Sequence, residues 1–115
     1  MPLPAAAPGK SCAAVFVIDG DTIRCATGAH IRLASIDAPE MPGHCRTGRE
    51  CTPGDPFASK RALQSLVAGK KVSCVNQGTD NYRRIIGRCY AGGTDLSCAM
   101  VASGHAVQRY GALNC

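Results

Sequence analysis

Short apolar runs separated by turn residues alternate along the first part of the chain. Residues 11–18, 22–26 and 30–36 are rich in β-branched and other apolar side chains, and Asp-Gly and Thr-Gly pairs separate them. Runs bounded in this way are typical of short antiparallel strands joined by tight turns. In the third run Arg32 alternates with Ile31 and Leu33, so we expect the Arg32 side chain on the opposite face of the sheet.

Two stretches with apolar residues at helical spacing predict helices, at residues 57–69 and 96–103. The first begins after Pro56, a residue favoured in the first turn of a helix. Thr94 or Asp95 is in position to cap the second. The remaining predicted elements are a fourth strand and a fifth strand, at residues 70–75 and 84–90.

The predicted order of elements is βββ-α-ββ-α. A five-stranded β-barrel of the OB type, with a helix between its third and fourth strands, has this order. We therefore expect a fold of the α+β class, mainly β, with two or three helices. A length of 115 residues is usual for one domain. Residues 1–10 are rich in Pro and Ala and are expected to be a flexible tail before a single domain at residues 11–115.

The formal net charge of the chain is +5, and its pI is about 8.9. A basic domain suits an anionic partner such as nucleic acid or a membrane surface. No apolar run approaches the ~20 residues of a membrane span, so we expect no membrane insertion. A monomer is the expected oligomeric state.

The chain contains eight cysteines and no CxxC pair. An even, high cysteine count favours disulfides and an oxidising compartment, so we expect a secreted or periplasmic protein whose signal peptide is absent from this sequence. The alternative is a zinc site formed by His44, Cys45 and Cys51 with His30 or His105.

The spacing of the cysteines favours one pairing. Cys74 with Cys89, and Cys12 with Cys25, flank predicted hairpin turns, where cross-strand Cβ atoms come close enough for a bridge. The pair of Cys12 and Cys25 needs a β-bulge to match register. Cys45 and Cys51 close a short loop, and Cys98 and Cys115 are the two cysteines that remain. The expected disulfides are Cys74–Cys89, Cys12–Cys25, Cys45–Cys51 and Cys98–Cys115.

Three carboxylates, those of Asp21, Asp37 and Glu40, fall at the predicted strand ends around Arg32. A metal-assisted phosphodiester hydrolase needs acidic groups and a cationic group in one place. The alternative is a set of ordinary strands joined by an Asp-Gly turn. Asp19 is expected to be a turn residue, or to contact a metal ligand without binding the metal itself.

Five segments resemble, in order and with similar spacing, those of the staphylococcal nuclease (thermonuclease) family. The resemblance implies a five-stranded OB-type barrel that hydrolyses phosphodiester bonds of DNA and RNA with calcium. It covers nearly all of the chain after the tail. The segments are VIDGDTI at 17–23, IRLASIDAPE at 31–40, LVAGKKV at 66–72, TDNYRR at 79–84 and DLSCAMVASGHA at 95–106.

The resemblance implies a calcium site and a group that acts on water. Asp21 and Asp37 match the family's calcium-binding aspartates, and the backbone carbonyl of Ala38 matches a further ligand. Glu40 matches the glutamate near the attacking water. These residue types suit the chemistry, because calcium takes hard oxygen ligands and a carboxylate can accept a proton from water.

The resemblance also implies a site for the substrate. Arg32 and Arg84 match the two arginines that hold the scissile phosphate, and planar guanidinium groups can meet its oxygens bidentately. Tyr82 and Tyr110 match tyrosines that line the nucleotide site. The chain departs from the family at Arg83, where the family has glycine. If this position needs a positive φ, a side chain there is strained and could shift Arg84.

Two further points stay open in the sequence. Arg46 and Arg49 are expected to be solvated surface residues or to steer nucleic acid. The chain stops at Cys115, before the family's usual C-terminal helix, and a disulfide there is expected to substitute for that helix.

Three functions remain to be separated. The first is a calcium-dependent nuclease acting on DNA, RNA or both. The second is a non-catalytic OB-type module that binds nucleic acid or protein, since fold alone does not imply activity. The third is a disulfide-stapled scaffold without a ligand. Three carboxylates beside a phosphate site favour the first, because without a metal they would repel the substrate.

Overall fold

The main sheet of the protein is curled and brings distant parts of the chain together. The structure is a computed structural model and describes residues 9–115. In the main sheet the strand order is β1-β6-β7-β4-β3-β2, with β8 paired to β7; β5 and β9 form a separate pair. The elements are β1 (Lys10–Ser11), β2 (Phe16–Asp19), β3 (Thr22–Arg24), β4 (His30–Leu33), β5 (Ile36–Asp37), α1 (Pro56–Val67), β6 (Val72–Thr79), β7 (Ile85–Ala91), β8 (Thr94–Asp95), α2 (Leu96–Ala102) and β9 (Val107–Gln108).

The N-terminal segment links the two ends of this strand order. Lys10–Ser11 pairs with β6 at one end, and a few residues later Phe16 begins β2 at the other. The sheet therefore curls back towards itself. Mainly β structure with two helices confirms the predicted fold class, and the curled sheet is consistent with an OB-type fold. The predicted tail falls mostly on residues 1–8, which lie outside the described residues, while Lys10 belongs to β1.

A parallel pairing between β4 and β7 joins the two halves of the chain. Ile31 lies opposite Ile85 in this pair, whereas β2, β3 and β4 pair with one another in antiparallel fashion. Arg32 follows Ile31 and Arg84 precedes Ile85. The pairing therefore brings together two arginines 52 positions apart in the sequence, Arg32 on β4 and Arg84 directly before β7.

The third predicted strand is divided in two. Its first part is β4 and its last part enters β5, because Ser35 adopts a φ of 65° between them. β5 leaves the main sheet and pairs with β9, so that Asp37 lies opposite Val107. The sequence did not predict β9, since two residues are too few to show a period. The fourth strand is also longer than predicted and continues to Thr79.

Each helix begins at an aspartate. Asp55 Oδ1 accepts hydrogen bonds from the backbone N–H groups at the start of α1, and Asp95 Oδ1 accepts one from Cys98 N at 3.0 Å. Such caps satisfy N–H groups that have no partner within a helix. Both helices pack on the sheet, and large apolar side chains that are fully buried include Ile23, Leu33, Ile36, Leu63, Leu96 and Met100.

All eight cysteines form disulfides, in the four pairs expected from their spacing. Cys74 and Cys89 lie directly opposite each other on β6 and β7. The register of β2 and β3 shifts near Asp19, as the pairing of the flanking cysteines required. Because Cys45 and Cys51 are bonded to each other, the alternative zinc site is excluded. Within residues 9–115, no helix combines the length and apolar character needed to cross a membrane.

Candidate active site

A fully buried carboxylate, that of Asp37, is surrounded by arginines. Its Oδ1 accepts hydrogen bonds from Arg32 Nη2 at 3.0 Å and from Arg49 Nη2 at 3.3 Å. Its Oδ2 accepts from Thr52 Oγ1 at 2.7 Å and from Arg109 Nη1 at 3.3 Å. Burial of a carboxylate is costly unless hydrogen bonds and opposite charges compensate it. These four donors compensate it and hold Asp37 in one position.

The pairing of β5 with β9 explains how these groups meet. β5 carries Asp37, and Arg109 directly follows β9. The backbone N–H of Arg109 also donates to Ser35 O at 2.9 Å, beside the break between β4 and β5. A C-terminal arginine is thereby placed next to a carboxylate 72 positions earlier in the chain.

Asp21 lies on the other side of Arg32. Its Oδ2 is 3.3 Å from Arg32 Nη2 and accepts a hydrogen bond from Ala38 N at 2.9 Å. Thr22 Oγ1 donates to Oδ1, and Asp19 shapes the turn by accepting from Asp21 N at 3.1 Å. Burial raises the pKa of Asp21 to about 6; the Arg32 guanidinium opposes this rise and the Asp19 carboxylate adds to it.

Glu40 is reached by a residue from the disulfide-closed loop. Arg49 Nη1 lies 3.0 Å from Glu40 Oε1, and Arg49 Nη2 donates to Tyr110 Oη at 3.4 Å. Burial by itself lowers the pKa of Arg49, but Glu40, Tyr110 and Asp37 outweigh that effect and raise it. The expectation of a solvated surface position for Arg49 was therefore wrong.

Arg84 sits in a tight turn organised by Asp80. Asp80 Oδ1 accepts from Tyr82 N at 2.8 Å and from Arg84 N at 3.0 Å, and Oδ2 accepts from Arg84 Nε at 2.7 Å. Arg83 has a φ of 63°, so this position does adopt the left-handed conformation that glycine takes most easily. The hydrogen bonds of Asp80 keep Arg84 in place despite the side chain at Arg83.

Both predicted substrate tyrosines are exposed and lie beside arginines. Tyr82 is 52 % exposed, with Arg46 Cζ 4.2 Å from its ring centroid and Arg84 Cζ at 5.4 Å. Tyr110 is 64 % exposed, with Arg32 Cζ 6.0 Å from its ring centroid. Exposed aromatic faces beside cations can stack on the bases of a single strand.

Two adjoining clefts meet at the arginines. One has a volume of about 410 Å³ and includes Tyr110 in its lining; the other, of about 530 Å³, includes Asp21 and Glu40. The side chains that line both clefts are Arg32, Arg49, Tyr82 and Arg84.

The predicted metal ligands are close together but do not form a cluster with Glu40. Asp21 and Asp37 contact the same nitrogen of Arg32, whereas Arg49 lies between Asp37 and Glu40. Among residues 9–115, no group of three or more His, Cys, Asp or Glu side chains is placed to hold a metal ion. A cation here would need other oxygen ligands as well as the two aspartates.

Comparison with known proteins assigns the family. The family model described as "Staphylococcal nuclease homologue" matches residues 30–114. The chain belongs to this family. It is 39 % identical over 95 residues to the "Succinoglycan biosynthesis protein ExoI" of Rhizobium meliloti, which covers 81 % of this chain and 49 % of that protein.

Two other relatives of this nuclease-homologue chain are named as endonucleases. An "Uncharacterized endonuclease" of Haemophilus influenzae is 33 % identical over 101 residues, covering 84 % of this chain and 51 % of the relative. A second protein of that name, from Escherichia coli, is 38 % identical over 96 residues, which cover 80 % of this chain and 56 % of the relative. The chain thus spans about half the length of these curated relatives.

Part of the site of this staphylococcal nuclease homologue was not predicted from its sequence. Thr52, Arg49 and Arg109 all donate to Asp37, yet none lies in the five segments that resemble the family. The one signal for Arg49 was its place in a short loop between two cysteines. The backbone carbonyl of His105 accepts a hydrogen bond from Ser59 Oγ at 2.8 Å.

Proposed function

We propose that the protein is a calcium-dependent nuclease that hydrolyses phosphodiester bonds of DNA, RNA or both. The observation that carries this proposal is that Arg32 and Arg84 line two adjoining clefts, one of which also holds Asp21 and Glu40 and the other Tyr110. Membership of the nuclease-homologue family and the endonuclease names of two relatives support it.

Arg84 is suited to bind a phosphate. Its Nε is engaged by Asp80, and within residues 9–115 its Nη1 and Nη2 donate to no acceptor. These two nitrogens can donate to two oxygens of one phosphate in a fixed geometry. Arg32 would act from the neighbouring strand. Both cations would stabilise the negative charge that grows on the phosphoryl oxygens in the transition state.

The donor groups around Asp21 fit a hard divalent cation. The burial of Asp21 raises its pKa to about 6, and the nearby Arg32 guanidinium offsets only part of this rise. Asp21, Asp37 and the backbone carbonyl of Ala38 would hold calcium, which takes oxygen ligands. When bound, calcium supplies Lewis acidity towards a phosphoryl oxygen and orders water.

Glu40 would accept a proton from the attacking water, since it borders the same cleft as Arg32 and Asp21. Tyr82 and Tyr110 would line the site for the nucleotide. The four disulfides support a secreted or periplasmic location, because such bonds persist in oxidising compartments. We propose that the enzyme acts as a monomer.

The deciding experiment measures cleavage of labelled single-stranded DNA and RNA with calcium, with magnesium and with a calcium chelator. We expect cleavage with calcium and none with the chelator. A titration calorimetry measurement should show calcium binding that Asp21→Asn weakens. Undiminished cleavage in the chelator would contradict calcium dependence, whereas binding of nucleic acid without cleavage would instead favour a non-catalytic OB-type module.

A further inference from the structure

The loop between Cys45 and Cys51 delivers one side chain to the carboxylates of the site. We propose that this residue, Arg49, is a positioning residue that holds Glu40 in the orientation in which it acts on water. This inference rests on the proposed nuclease function and adds a third arginine to it. The family resemblance assigns no role to this position, and the sequence pattern suggested only a solvated surface residue or one that steers nucleic acid.

Arg49 connects Glu40 to Asp37, a buried carboxylate that other residues hold in position. Its Nη1 lies 3.0 Å from Glu40 Oε1, while its Nη2 donates to Asp37 Oδ1 at 3.3 Å. Asp37 is fully buried and held by three further donors. Because a guanidinium group is planar and rigid, the contact with Asp37 determines where the other nitrogen can meet Glu40.

Glu40 depends on this contact for its orientation. Among residues 9–115, Arg49 is the ion-pair partner of Glu40, and Glu40 Oε2 accepts no hydrogen bond. Arg49 therefore restrains one carboxylate oxygen and leaves the other to accept a proton from water. Without Arg49 the carboxylate is free to populate other rotamers, and a displaced general base loses much of its effect.

The disulfide explains why an arginine in an irregular loop can serve this purpose. Residues 45–51 contain neither helix nor strand. The Cys45–Cys51 bond closes the segment, Gly48 adopts a φ of 82°, and Arg49 N donates to Arg46 O at 3.1 Å. These constraints restrict the backbone at Arg49. Removing both cysteines together, as Cys45→Ser with Cys51→Ser, should therefore reproduce the effect of removing the Arg49 side chain.

The test compares kcat and KM of the calcium-loaded wild type with those of Arg49→Ala, Arg49→Lys, Glu40→Gln and the Arg49→Ala/Glu40→Gln pair. We expect Arg49→Ala to lower kcat by about tenfold to a hundredfold, with KM changed by less than about twofold. Arg49→Lys should not restore kcat, because one ammonium group cannot replace two nitrogens. The matched control, Arg61→Ala on the exposed face of α1, removes the same charge outside both clefts and should leave kcat unchanged.

The double variant separates positioning from an independent role. If Arg49 acts through Glu40, the double variant should be no slower than Glu40→Gln alone. Three results would each overturn the inference: rate losses of the two single variants that multiply in the double variant, an unchanged kcat in Arg49→Ala, or an effect of Arg49→Ala on KM alone. The last result would make Arg49 a substrate contact.

A measurement without substrate distinguishes failure of this inference from failure of the proposed function. A wild type that cleaves nothing with calcium contradicts the proposed function itself. Urea unfolding of the wild type, Arg49→Ala, Glu40→Gln and the double variant, without metal or nucleic acid, tests the contact separately. The effects of Arg49→Ala and Glu40→Gln on the midpoint should be non-additive, and additive effects would overturn the inference whatever the activity.

Discussion

The Asp80 carboxylate accepts hydrogen bonds from both the side chain and the backbone of Arg84. Asp80 Oδ2 accepts from Arg84 Nε at 2.7 Å, and Oδ1 accepts from Arg84 N at 3.0 Å. One carboxylate therefore determines both the path of the turn and the direction of the guanidinium group. This restraint leaves the outer nitrogens of Arg84 for a phosphate and compensates for the strained backbone at Arg83.

Replacement of Asp80 should impair catalysis through Arg84. We expect Asp80→Ala to lower kcat/KM on single-stranded DNA by about tenfold or more, because a misdirected guanidinium loses transition-state contacts. Asp80→Asn should cost less, since the amide oxygen can still accept from the backbone. Asp55→Asn provides the control: it changes a similar aspartate at the start of α1 and should leave kcat/KM of the folded protein unchanged. An Asp80→Ala enzyme with wild-type kinetics would show that Arg84 does not need this restraint.

Asp80 should also contribute stability that depends on pH. Burial raises its pKa, but hydrogen bonds from Arg84 N and Tyr82 N, and the contact with the Arg84 guanidinium, lower it below the ordinary 3.8. An acid with a lower pKa in the folded state stabilises the fold above its unfolded pKa, and that stability is lost as pH falls through the folded pKa. The free energy of unfolding should therefore differ between wild type and Asp80→Asn by a constant amount above about pH 5. The difference should shrink below about pH 4. Urea unfolding across this range measures it.

Arg32 and Arg84 should differ in what their removal does to the fold. Each alanine variant should slow hydrolysis by about a hundredfold or more, as expected for a lost charge-stabilising donor. Arg32→Ala should also destabilise the protein more than Arg84→Ala does, by roughly 2 to 3 kcal/mol, because Arg32 pairs with two buried aspartates. Chemical unfolding and single-turnover kinetics on the same samples test this. Equal stability of the two variants would mean that the remaining donors to Asp37 compensate fully.

Arg83 should be a point of strain that glycine relieves. Its φ of 63° is costly for a residue with a Cβ atom, and its side chain is exposed. We expect Arg83→Gly to raise the free energy of unfolding by about 0.5 to 1 kcal/mol, while Arg83→Ala, which keeps the Cβ atom, does not. If both variants are stabilised equally, the cause is the charge of Arg83 and not its backbone.

Glu40→Gln should separate chemistry from binding. The amide keeps the shape of the side chain but cannot take a proton from water, so we expect kcat to fall by about a hundredfold or more. The affinity for a nucleotide, measured by fluorescence of the exposed tyrosines, should change little. Equal losses of turnover and affinity would instead indicate that Glu40 helps to position the metal or the substrate.

Much of the local structure could be predicted because its signals lie close together in the sequence. The apolar runs, Pro56 and Asp95 at the helix starts, and the spacing of Cys74 and Cys89 each depend on neighbouring residues or on one hairpin. The break at Ser35 was missed, because a positive φ in a non-glycine residue leaves no mark in an apolar pattern. β9 was missed because its pairing with β5 requires two segments about 70 positions apart to meet.

The sequence by itself determined the family, the carboxylates around Arg32, the arginine pair and the cysteines available for bonding, since these follow from residue types in a recognisable order. Only the tertiary structure decided that Asp37 is enclosed by Arg49 and Arg109 and that Arg49 reaches Glu40. Those contacts depend on a disulfide-closed loop and on a two-residue strand. The direction in which a charged side chain points from such segments is set by the partners that the completed fold supplies.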